Sequence, residues 1–149
     1  MVLCDSNVWL ALVLSKHVHH TAAGKWLDGV DEPASINFCR ATQQTLLRLL
    51  TNASVLGPYG NAPLTNREAW KVYEALHGDD RIVLRAEEPS GLESRWRQFA
   101  LRDTASPKMW MDAYLAAFAL AGAYRLVTTD TAFTQFRGLD LQLLGGRAD

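Results

Sequence analysis

The sequence predicts an α/β domain built on a mostly parallel sheet of four or five strands flanked by helices. Three observations lead there. Short apolar runs alternate with longer segments of helical period. No two-residue hairpin signal joins any pair of those runs. Asp5 and Asp130 fall at the ends of apolar runs, the edge at which open α/β sheets bind their ligands. The 149 residues fit one domain, 1–149, and 48% of them are apolar, enough for a sizeable core.

The elements follow in order. Val2 to Cys4 reads as a short buried strand that runs straight into Asp5. Asn7 to Leu14 is apolar and reads as a helix. A second helix spans His19 to Val30, with Ala23, Trp26, Leu27 and Val30 at helical spacing, and Asp31-Glu32-Pro33 breaks it. Ala34 to Phe38 is the second strand. Thr42 to Leu50 is a helix in which Leu46, Leu47 and Leu50 share a face with Gln43. Thr51 to Pro63, rich in Gly, Pro and Asn, reads as a loop. Thr65 and Glu68 form a capping box that starts a helix through Leu76. Gly78 ends it, and Arg81 to Leu84 is the third strand. Ser90 to Leu101 is helical, with Leu92, Trp96 and Phe99 on one face. A polar loop, Asp103 to Lys108, leads to the helix Met109 to Tyr124, whose Ala-rich body Asp112 opens. Arg125 to Thr128 is the fourth strand, and Leu139 to Leu144 a fifth at the edge.

Composition narrows the function. A net charge of −1 argues against a broad basic nucleic-acid surface and leaves room only for a local patch from Arg40, Arg48, Arg102 and Lys108. The apolar stretches Val8 to Leu14 and Ala113 to Ala123 are too short to span a bilayer, and no secretory pattern is visible. A soluble cytoplasmic protein with no membrane contact is expected. Cys4 and Cys39 sit at strand ends that could make them neighbours in space, are expected to be buried reduced thiols, and match no zinc spacing. His17, His19 and His20 fit no zinc site either and read as an exposed helix start. The five tryptophans are expected in core or interface, with Trp110 the one best placed to touch a nucleic acid.

Asp5, Asp112 and Asp130 carry the chemistry. Each alone has an ordinary explanation: a helix cap for Asp5, a helix-dipole partner for Asp112, an Asx turn for Asp130. Together, at two strand ends and a helix start, they converge on one sheet edge. Converging carboxylates repel unless a cation lies between them, and oxygen ligands select Mg²⁺ or Mn²⁺.

Four segments resemble the PIN-domain ribonucleases, and more narrowly the VapC toxins of type II toxin–antitoxin systems. They are Cys4-Asp5-Ser6-Asn7-Val8-Trp9, Cys39 to Thr51, Asp112-Ala113-Tyr114-Leu115-Ala116-Ala117, and Thr128-Thr129-Asp130-Thr131-Ala132-Phe133. The resemblance implies a PIN-like three-layer fold and a metal-dependent endoribonuclease that cleaves structured RNA, tRNA or rRNA. It implies that Asp5 and Asp112 are the principal metal ligands and that Asp130 holds a second ion or a metal-bound water. Asn7 and Thr128 would orient these carboxylates from behind. The family's second acid is replaced by Gln43, which is open to reading as a neutral ligand or as a structural glutamine. A VapB-like antitoxin and a homodimer are the implied partners. The rival reading, motivated by Gln43, is a PIN-fold RNA- or protein-binding module without catalysis. Receiver-like and haloacid-dehalogenase-like readings lack, respectively, a lysine after the last strand and a second aspartate beside Asp5.

Overall fold

Five strands pair in the order β3-β2-β1-β4-β5, every pair parallel, in a computed structural model that describes residues 1–146. They are β1 (Val2–Cys4), β2 (Ile36–Cys39), β3 (Ile82–Arg85), β4 (Arg125–Thr128) and β5 (Leu141–Leu143). Seven α-helices connect them: α1 (Ser6–Val13), α2 (His20–Asp28), α3 (Arg40–Leu50), α4 (Ala53–Leu56), α5 (Asn66–Leu76), α6 (Leu92–Ala100) and α7 (Met109–Ala121). None of these helices is long and apolar enough to cross a membrane.

Period-two alternation in the central strands builds the three layers. Cys4, Ile36, Phe38 and Val127 face one core with Val8 and Trp9 of α1, Leu46 and Leu50 of α3, and Tyr73 of α5. Leu3, Cys39 and Leu126 face the other, with Leu92 of α6 and Ala113, Ala116 and Phe118 of α7. Both faces are covered, so β2 is buried at all four positions. The same alternation corrects one expectation. Cys4 and Cys39 are both free and buried, but they point to opposite faces of the sheet and are not neighbours.

Two further differences have local causes. The segment 51–63 is not all loop: Asn52 caps α4 by accepting from Ser54 N–H at 2.9 Å, Leu56 is buried, and a 3₁₀ turn follows at Gly57–Tyr59. Helix α3 begins at Arg40 rather than Thr42, because Cys39 and Thr42 cap each other. Helix α7 begins at Met109, as expected, which puts Asp112 inside its first turn. The capping box of Thr65 and Glu68 forms as expected, at 3.1 and 3.0 Å.

Arg81 ties the end of α2 to the start of β3. Its Nη1 donates to the carbonyls of Leu27 at 2.7 Å and Val30 at 2.6 Å, while Nε and Nη2 grip the Asp79 carboxylate. Hydrogen bonds to a charged group are among the stronger kind. Arg81→Ala is expected to cost about 2 kcal/mol of stability. An unchanged urea midpoint would show that these bonds merely replace water.

Candidate active site

The strand order reverses at β1, which pairs with β2 on one side and β4 on the other. Chains leaving neighbouring strands in opposite directions open a crevice at the carboxyl edge, where α/β sheets bind ligands. Asp5 follows β1 and Thr128 ends β4, so both stand at that crevice. The backbone N–H of Asp5 donates to Val127 O at 2.9 Å and extends the ladder between the two strands.

Asp5 is 7% exposed and fully engaged by its surroundings. One carboxylate oxygen accepts from Ser6 N–H at 2.7 Å and caps α1; the other accepts from Thr128 Oγ1 at 2.8 Å. The backbone N–H of Asn7, rather than its exposed side chain, also faces this carboxylate. Thr128 Oγ1 in turn accepts from Asp130 N–H at 3.0 Å. One fully buried hydroxyl therefore links Asp5 to the segment that carries Asp130. Asp130 Oδ1 accepts from Ala132 N–H at 2.8 Å, and a 3₁₀ helix, Thr131–Gln135, starts there.

Asp112 reaches the same place from α7. Burial, then Asp5, then Asp130 push its carboxyl up to about 6, against the opposing pull of Lys108. Burial also raises Asp5, with Asp130 adding to it, although the bonds from Thr128 and Ser6 hold it down. Asp112 feels both of the other acids, and Asp5 feels Asp130. The fold thus brings the three predicted carboxylates into one electrostatic neighbourhood. Among the described residues, no three His, Cys, Asp or Glu side chains stand close enough to form a ready-made metal cage. The donor set nevertheless fits a hard cation. It is oxygen only, it is mutually repulsive, and each carboxylate keeps lone pairs beyond those its present partners use.

Gln43 is buried beside this edge, but its carbonyl oxygen is already committed. It accepts from Arg40 Nη1 at 2.6 Å, one helical turn earlier on α3. The Tyr73 hydroxyl of α5 lies beside it, on the opposite side of the sheet from α7. The pair of Arg40 and Gln43 is legible in their three-residue spacing; Tyr73 is not, because it arrives from another helix. Tyr114 donates to Glu88 Oε1 at 2.8 Å across 26 residues, a pairing that leaves no local signal either.

The histidines are used within the structure. His17 Nδ1 accepts from His19 N–H at 3.0 Å and the ring stacks on Tyr59; His20 Nδ1 bonds Ala11 O at 2.7 Å. Trp9 and Phe38 stack inside the core with centroids 3.8 Å apart, whereas Trp110 is 60% exposed.

Comparisons with known proteins agree with this geometry. The PIN domain family matches residues 2–139. The chain is 65% identical to Ribonuclease VapC41 of Mycobacterium tuberculosis over 144 residues, 97% of this chain and 99% of that protein. Its fold is similar to the crystal structure of VapC20 from the same species, a sarcin-ricin loop cleaving toxin. That match has a TM-score of 0.64 at 14% identity and covers 95% of this chain and 99% of that one. It is also similar to VapBC-1 from nontypeable Haemophilus influenzae, with a TM-score of 0.62 at 15% identity, covering 96% and 98%. An all-parallel 3-2-1-4-5 sheet with acids at its switch point, matched over nearly the whole chain, places this protein in the PIN-domain family, among the VapC ribonucleases.

Proposed function

We propose that this chain is a divalent-metal-dependent endoribonuclease that cleaves structured RNA, tRNA or rRNA, as a toxin restrained by a VapB-like antitoxin. The observation that carries the reading is the gathering of Asp5, Asp112 and Asp130 at the switch point, where burial first and then the two neighbours raise the carboxyl of Asp112. A site that holds carboxylates together against their repulsion is built for a cation. Asp5 and Asp112 are assigned as the ligands of a Mg²⁺ ion, with Mn²⁺ as a substitute. When bound, the ion supplies an activated water and neutralises charge on the scissile phosphate.

The chain's own residues do the rest. Thr128 fixes the Asp5 carboxylate and, through the Asp130 N–H, the loop beyond β4. Asp130 keeps one oxygen free of the Ala132 bond, available to a water or a second ion. The backbone N–H of Asn7 faces Asp5 and opposes, with Thr128 and Ser6, the rise that burial causes in its carboxyl. Gln43 is assigned to Arg40, not to the metal: an amide whose carbonyl already accepts from a guanidinium brings no charge to the ion. Membership of the VapC ribonucleases supports both the activity and the antitoxin, and a homodimer is proposed on the same ground.

The test is cleavage of total cellular RNA by the purified chain. Discrete cuts are expected with Mg²⁺ or Mn²⁺, with a loss of about a thousandfold in EDTA. A well-folded chain that cuts no RNA with either ion, while still binding it, would favour the non-catalytic binding module.

A further inference from the structure

α6 and the first turn of α7, the turn that also carries Asp112, form an exposed aromatic groove that the fold does not use. Glu93, Trp96, Arg97, Ala100, Leu101 and Trp110 line it. Trp110 is 60% exposed and Leu101 65%, an unusual display for large apolar side chains. The groove is also held rigid. Trp96 Nε1–H donates to the Trp110 carbonyl at 3.0 Å, and the two rings meet edge to face with centroids 6.4 Å apart. Tyr114 backs Trp96 at 5.4 Å, again edge to face.

Position and charge say what fits there. Trp110 and Asp112 share the first turn of α7, about 3 Å apart along its axis and on opposite flanks. A chain that lays one phosphate over the acids and crosses the N-terminus of α7 reaches the groove. No side chain caps that terminus; its first N–H, that of Met109, donates to the Ser106 carbonyl at 3.0 Å. Lys108 precedes the helix close enough to act on the Asp112 carboxylate, and Arg97 lines the groove beside Glu93. Arg97 and Lys108 are the cations close to the aromatic pair. Flat aromatic faces next to cations are the equipment for an unpaired nucleotide: a base to stack and a phosphate to hold.

Resting on the endoribonuclease reading above, we propose that the groove of Trp96, Leu101 and Trp110 is a subsite for an unpaired base adjoining the cut. Trp110 provides the stacking face, and Lys108 takes that nucleotide's phosphate. Trp110 is thus a specificity-determining residue, outside the metal ligands, that selects looped over paired RNA at the cleavage position.

The test uses the full chain carrying Asp112→Asn, to separate binding from turnover, and a fluorescein-labelled, random-sequence RNA of about 12 nucleotides. Trp110→Ala is expected to weaken binding about tenfold, and Trp110→Tyr to stay within about twofold, because a stacking face remains. Leu101→Glu, at an exposed position that tolerates the charge, is expected to weaken binding similarly. Trp70→Ala, which removes another exposed tryptophan on α5, is the control and should change nothing. In the active chain, Trp110→Ala should raise KM and broaden the base preference beside the cut while kcat holds. Unchanged RNA affinity in folded Trp110→Ala and Leu101→Glu chains overturns the subsite. So does loss of antitoxin binding with RNA affinity intact, which would make the groove a protein-docking surface. If the unsubstituted chain cleaves RNA and the variants match it, only the subsite fails. If it neither cleaves total RNA nor binds the oligonucleotide, the endoribonuclease reading falls with it.

Discussion

Asp112→Asn is expected to abolish RNA cleavage, by about a thousandfold or more, while making the metal-free chain more stable. The two effects have one cause. Asp112 is held among Asp5 and Asp130 in a partly buried site, and its carboxyl is pushed up from 3.8 to about 6. A folded-state pKa above the unfolded one means that the folded chain binds the proton more tightly. That stability is fully present below about pH 4 and is lost as pH rises through about 6. Above pH 6 the ionised group is a net cost. The full shift would amount to about 3 kcal/mol. Asp112 is only half-buried, so solvent screening reduces this to roughly 1 kcal/mol. Removing the charge should therefore raise the melting temperature at pH 7.5 by about 3 °C in EDTA. A simple structural acid at a helix N-terminus would behave the other way: its amide variant would lose stability by losing the helix-dipole interaction. Calorimetry of both chains in EDTA and in Mn²⁺ distinguishes them. A variant that melts lower in EDTA, or one that cleaves RNA normally, would remove Asp112 from the site.

Metal affinity is expected to fall about tenfold for each pH unit below about 6, and to level off above pH 7. A proton and a metal ion compete for the same carboxylate, so binding below the pKa must release the proton. Burial raises Asp5 as well, in the same direction, and makes the fall steeper where both titrate. Calorimetric titration with Mn²⁺ at pH 5, 6, 7 and 8, in buffers of different ionisation enthalpy, counts the protons released. About one per ion is expected at pH 5 and almost none at pH 7.5. The Asp112→Asn chain should show weak binding with little pH dependence left. Affinity flat from pH 5 to 8 in the unsubstituted chain would mean that these carboxylates are not the ligands.

The contrast between Asp5 and Gln43 shows where reading the residues stops. Asp5 stands directly after a buried apolar triplet and before a helix, so its place at a strand's carboxyl end follows from local pattern alone. Gln43 lies on the buried face of α3, and the leucine spacing says so. What it does there depends on competition for one oxygen. Arg40 is one turn away and wins that oxygen, while Tyr73 arrives from α5 to close the other side. The two cysteines make the same point. Both lie in strand ends, but which face each meets follows from register across β1 and β2, not from either segment. Segment 51–63 erred for a different reason: Gly, Pro and Asn suggested loop throughout, yet Asn52 was spent as a helix cap.

By itself the sequence determined the class of fold, its five strands and every α-helix but α4 to within a few residues, and it singled out the three acids as candidates. These depend on periodicity, caps and turn residues, which act between near neighbours. Only the tertiary structure decided that Asp5, Asp112 and Asp130 share one electrostatic neighbourhood. Their convergence needs β1 to lie between β2 and β4 and α7 to pack with its first turn at the switch point. It also decided that Thr128, 123 residues from Asp5 in the chain, holds that carboxylate, and that Trp96 and Trp110 stand together outside the core. Such contacts are set by strand order and layer packing, long-range choices that no local stretch of sequence encodes.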